Sequence, residues 1–144
     1  MRFMIMVRAN AQSESEPTPM PSEELMAAMA TYHEELAKAG ILLDANGLQP
    51  SSKGWRVHYE NGGRRVIDGP FAEAKELIAG YTLIQVKSRE EALEWTRRFP
   101  APFGEGEEGQ IEVRRLYELD DFGPSEAVER FREMGVGEGP AVKA

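Results

Sequence analysis

The chain opens Met1-Arg2-Phe3-Met4-Ile5-Met6-Val7-Arg8, and the reading of this stretch decides the fold. Alternate side chains of an extended strand leave opposite faces. Phe3, Ile5 and Val7 therefore share one face, and Met4 and Met6 share the other. Both faces are apolar, so whatever sheet contains this strand needs cover on both sides. At 144 residues the chain has the length of a single domain.

Outward from that strand the periodicity changes in a readable order. Residues 10–21 are polar and proline-rich, a connection long enough to serve as a lid, a partner contact or a mobile segment. Ser22 is a suitable N-cap, with Glu23 and Glu24 in the first turn, where the helix dipole favours anions. The spacing of Leu25, Met29, Tyr32 and Leu36 predicts an amphipathic helix to about Ala39, stopped by Gly40. A strand over 41–48 precedes a hairpin in which Trp55, Val57 and Tyr59 alternate with Arg56, His58 and Glu60 around Asn61-Gly62-Gly63. Another strand follows over 78–87, then a helix opened by Ser88-Arg89-Glu90-Glu91 and ended by Pro100. A last strand is expected from Ile111 to Leu119, and a short helix from Ser125 to Met134.

This order predicts an α+β, ferredoxin-like βαββαβ unit with an inserted β-hairpin. Two helices cover only one face of such a sheet. The economical cover for the second face is another copy, so we expect a homodimer that pairs the sheets as a dimeric α/β barrel. The expected division is an α+β domain over 1–122 and a short helix with a flexible tail over 123–144.

Composition removes several functions. With 25 acidic and 17 basic residues the net charge is −8, which argues against nucleic acid as a partner. The absence of cysteine excludes disulfides, thiolate zinc sites and a cysteine nucleophile. No apolar run is long enough for a membrane span, and the N-terminus does not read as a signal peptide. The expectation is a cytoplasmic protein with no membrane partner. The two histidines lack metal-ligand spacing and no phosphate-binding glycine motif is present, so no metal and no cofactor are predicted.

The segment Asp68-Gly69-Pro70-Phe71-Ala72-Glu73-Ala74-Lys75-Glu76, followed by Gly80-Tyr81, closely resembles the signature of the YCII-related (DGPF) family. The N-terminal strand, the stretch from Gly40 to Pro50 and Glu91-Ala92-Leu93-Glu94-Trp95 resemble it too, so the likeness spans roughly residues 1–120. Ala74 stands where relatives often have Thr, so a hydroxyl there is not required in this chain. The resemblance implies a dimeric α+β barrel. It also implies kinship with small degradative enzymes and, for some members, association with alternative sigma factors.

Candidate site residues follow from both readings. Asp68 either caps the turn formed by Gly69 and Pro70, with Phe71 as its core anchor, or carries a proton at the sheet rim. His33, on the flank of the first helix's apolar stripe, is either a satisfied core histidine or a general acid/base paired with Asp68 or Asp44. Arg8, Asp44, Gly69, Pro70, Phe71 and Tyr81 complete the expected ligand cleft. Three functions remain open: an acid/base enzyme on a small organic molecule, a non-catalytic small-ligand module, and a regulatory dimer.

Overall fold

The computed structural model describes residues 1–141. Six strands and three helices occur in the order β1 (Arg2–Arg8), α1 (Glu23–Lys38), β2 (Leu42–Gly47), β3 (Trp55–Glu60), β4 (Gly63–Asp68), β5 (Ile78–Gln85), α2 (Arg89–Arg97), β6 (Ile111–Arg115) and α3 (Glu126–Glu133). Four strands form an antiparallel sheet ordered β2-β5-β1-β6, and β3 with β4 forms a separate two-stranded ribbon. With the ribbon set aside, the sheet has the ferredoxin-like arrangement expected of its element order.

Local chemistry explains the boundaries. Ser22 Oγ accepts from the Leu25 amide at 3.1 Å at the start of α1, and Ser88 Oγ accepts from the Glu91 amide at 3.1 Å at the start of α2. Gly40, at φ 75°, lets the chain leave α1 in the left-handed region that other residues avoid. Asn61 and Gly62 are both left-handed, which matches the two-residue turn between β3 and β4 to the twist of the ribbon.

The core lies between the helices and one face of the sheet. Phe3, Ile5, Ile84 and Val86 pack there against Tyr32 and Leu36 of α1, Ile41, and Ala92 of α2, with Trp95 and Phe99 at the margin. Register places Ile5 beside Thr82 on β5 and Val113 on β6, so alternate residues of the central strands form a continuous apolar layer. The Tyr32 hydroxyl donates to the Trp95 carbonyl at 2.8 Å, which ties α1 to α2.

That burial pushes the Tyr32 phenol up from 10.0 to about 12, despite the lowering influence of Arg98. Below pH 10 the phenol is neutral in both states and its stabilisation is complete. Between pH 10 and about 12 only the unfolded chain ionises, so stability falls by roughly 2 kcal/mol across that window. Tyr32→Phe removes this component of the alkaline loss, which denaturant titrations of both proteins at pH 9 and pH 11 measure directly.

One expectation is corrected. The last strand ends at Arg115 rather than Leu119. The chain then turns so that Glu118 binds Arg2 at 3.0 Å and Leu119 buries its side chain. The described part of the 123–144 segment also makes contacts with the body. Gln85 Nε2 donates to the Pro140 carbonyl at 2.9 Å, Arg132 pairs with Glu138 at 2.7 Å, and Gly139 lies against the Gln85 and Arg2 side chains. Residues 142–144 lie outside the described residues.

Candidate functional site on the open face of the sheet

The second face of the sheet carries Met4 and Met6 of β1, Tyr81 and Leu83 of β5, and Asp44 and Asn46 of β2. Register sets them in two rows: Asn46 beside Tyr81 beside Met6, and Asp44 beside Leu83 beside Met4. The apolar members are half-buried, and the β2 carboxylate and amide are exposed.

Three polar groups converge there. The Tyr81 hydroxyl donates to Asp44 Oδ2 at 2.9 Å, and Asn46 Nδ2 lies 3.0 Å from the Tyr81 oxygen and 3.2 Å from Asp44 Oδ1. The Ala45 amide donates to Asp44 Oδ1 at 2.9 Å. Asp44 is thus held by two side chains and the adjoining backbone amide. A β-bulge between Leu42 and Asp44 sets the facing of this carboxylate. Asn46 is absent from the sequence-based candidates. Its signal is the two-residue spacing from Asp44, which places both side chains on one strand face.

His33 does not join this cluster. Its Nδ1 donates to the Met29 carbonyl at 2.7 Å, and its Nε2 lies 2.8 Å from Thr82 Oγ1. Thr82 points to the helix side of the sheet while Tyr81 points to the other, so the β layer separates His33 from Asp44. The anticipated pairing with Asp44 or Asp68 is replaced by these two internal hydrogen bonds and by edge contacts with Tyr32 and Phe99.

The Asp68 motif also differs from its expected arrangement. Asp68 is exposed at the end of the ribbon, opposite Trp55, and the 3-10 turn at Ala74–Glu76 has no side-chain cap. Gly69 is not left-handed. Its amide donates to the Gly54 carbonyl at 3.0 Å, while its Cα faces the Ser51 backbone too closely to carry a side chain. Phe71 lies outside the core, half-buried beneath the Arg56 guanidinium, which sits 3.7 Å from the ring centroid. Pro70 follows in the same turn and is exposed.

This motif is joined to the long first connection. Ser51 Oγ donates to Glu14 Oε2 at 2.8 Å and accepts from the Phe71 amide at 3.0 Å, and Glu14 also accepts from the Ser51 amide at 2.9 Å. Ser52 Oγ donates to Glu16 at 2.6 Å. Two acidic residues therefore fasten the 10–21 segment to the turn below the motif. Gly69, Pro70 and Phe71 build a strut rather than a face of the Asp44–Tyr81 cluster.

Arg8 lines a separate open groove of about 1050 Å³ between the motif's 72–75 segment and residues 107–110. Its guanidinium bonds the Lys75 carbonyl and lies 3.6 Å from Glu112, so its charge is already answered within the chain. Among the described residues no group of three or more histidines and carboxylates is placed to hold a metal ion. No helix among them is long and apolar enough to cross a membrane.

A four-stranded antiparallel sheet with helices on one face and a polar cluster on the other defines a ferredoxin-like α+β domain with an open sheet surface. The chain belongs to the YCII-related family, whose model matches residues 1–120. It is 33% identical over 75 residues to an uncharacterised protein of Rhizobium meliloti (strain 1021). That match takes in 52% of this chain and 60% of the relative, so the chain spans about three fifths of the relative's length. A solved structure of 5-chloro-2-hydroxyhydroquinone dehydrochlorinase (TftG) from Burkholderia phenoliruptrix AC1100, in complex with 2,5-dihydroxybenzoquinone, aligns with a TM-score of 0.44. Identity to it is 14%, over 82% of this chain and 95% of that one.

Proposed function

We propose that the protein is a homodimer that binds a small organic molecule on the open sheet face and exchanges a proton with it. The observation that carries this reading is the Asp44–Asn46–Tyr81 cluster beside Met4, Met6 and Leu83. Small-molecule sites combine an apolar lining with a few placed polar groups. A second copy over this face supplies the enclosure that one sheet lacks.

The chemistry follows from the donors and acceptors. Asp44 offers carboxylate oxygens to a ligand O–H or N–H and acts as the base. Tyr81 both donates and accepts, so it can turn from Asp44 to a ligand oxygen, and Asn46 steadies the two. A carboxylate at the polar end disfavours anionic ligands. The favoured class is a small neutral molecule with a hydroxyl or amine donor on a flat apolar body.

Thermal-shift titration with neutral phenols, polyols and amines tests this, because a ligand of the folded state raises the melting temperature by mass action. A ligand so found is expected to bind Tyr81→Phe about tenfold more weakly, the worth of one hydrogen bond to a charged network. Unchanged affinity in that variant, or no shift from any of these classes, rejects the reading.

A further inference from the structure

Among the described residues, the β3–β4 ribbon has no cover. Every residue of its two strands is exposed, and Trp55 and Tyr59 retain 65% and 69% of their accessible surface. Register places Trp55, Val57 and Tyr59 on the same ribbon face as Val66, which lies across from Val57, and Arg64, which lies across from Tyr59. The Arg64 guanidinium rests 5.2 Å from the Tyr59 ring centroid. The other face is different in kind: Arg56, His58 and Arg65 surround Ile67, and Arg56 is engaged with Phe71. One side of the ribbon is thus tied to its own chain, while the other presents the contiguous apolar group Trp55, Val57, Tyr59 and Val66, bordered by Arg64 and Asp68.

Two-stranded ribbons are marginal in water unless a third layer covers them. The stripe offers on the order of 400 Å² of side-chain surface, about half of the roughly 800 Å² per partner that a standard interface requires. The open sheet face has the same need for cover. Charge selects the occupant. From Lys53 to Asp68 four cations meet two carboxylates, a net of +2, and the rest of the chain carries −10. A nucleic acid drawn to the arginines is repelled by that remainder. A second copy is net acidic outside its own ribbon and so complements Arg64, the cation that borders the stripe.

We infer that the β3–β4 ribbon is a dimerisation arm, which lays its Trp55–Val57–Tyr59–Val66 stripe against the acidic body of a second copy of this chain. The inference rests on the homodimer proposed above and names a contact surface for it beyond the sheet.

The chain has no cysteine, so Val66→Cys gives a unique thiol at an exposed position. Sedimentation equilibrium of the wild-type protein reports the dimer, and the rate of thiol modification by a disulfide reagent in the Val66→Cys variant reports the arm. The expected result is a dimer whose introduced thiol reacts about tenfold more slowly at high than at low micromolar protein, as mass action buries it. Tyr59→Ser, with far-UV circular dichroism as the check on folding, is expected to raise the dimer dissociation constant at least about tenfold, as for a buried interface tyrosine. A dimer whose thiol reacts at one rate at all concentrations, with Tyr59→Ser neutral, overturns the arm and leaves the dimer standing. A monomer at all concentrations overturns both.

Discussion

Gly69→Ala is expected to lower the melting temperature by about 10 °C, a loss of about 3 kcal/mol for a chain of this size. The added methyl group collides with the Ser51 carbonyl oxygen and sits 2.7 Å from its carbon. Neither neighbour is a flexible side chain. Ser51 is fixed by its three bonds to Glu14, and the Gly69 amide is fixed by the Gly54 carbonyl. Relief therefore requires the turn, the motif and the 10–21 segment to separate together. Gly47→Ala is the control, since its Cβ meets nothing within 4 Å and its φ is not left-handed. It is expected to change stability by no more than about 0.5 kcal/mol. Equal melting temperatures for the two variants refute the close-approach explanation.

Leu36→Ala is expected to cost about 3 kcal/mol, read as a lower midpoint in urea with an unchanged slope. Leu36 is fully buried at the centre of the layer formed by Phe3, Ile5, Tyr32, Ile41 and Ile84. Its neighbours come from β1, α1, β5 and Ile41 just before β2, so no single element can move to fill the space. Leu48→Ala, at a residue that keeps 46% of its surface in solvent, provides the comparison and is expected within about 0.5 kcal/mol of the parent. A Leu36→Ala protein as stable as Leu48→Ala places the core elsewhere.

The helix caps at Ser22 and Ser88, the stripe from Leu25 to Leu36, the Asn61-Gly62 turn and the two apolar faces of β1 were all legible in the sequence. Each depends on residues within a few positions of one another. The Asp68 motif was legible as a motif, but its physical reason was not. A left-handed Gly69 is the local explanation for glycine after aspartate, whereas the structure puts the Ser51 backbone against it. Glu14 and Ser51 carried no signal because their partners lie 37 and 20 residues away along the chain.

The candidate site divides in the same way. Asp44 and Tyr81 could be chosen from residue type, and the β2–β5 register with its bulge brought them within 2.9 Å. His33 had the right chemistry and the wrong side of the sheet, because α1 packs on the face opposite Asp44. Arg2 is buried by Glu118 and the tail, partners more than a hundred residues away along the chain.

By itself, the sequence determined the element order, the helix ends, the hairpin turn and the two apolar faces of β1. These are written in periodicity and backbone preference, which act over one or two turns of chain. Tertiary structure alone decided which polar groups meet, which glycine must remain glycine, and that the ribbon stands apart with its aromatic stripe bare. Those outcomes depend on strand register and on contacts between distant segments, and no local pattern encodes either.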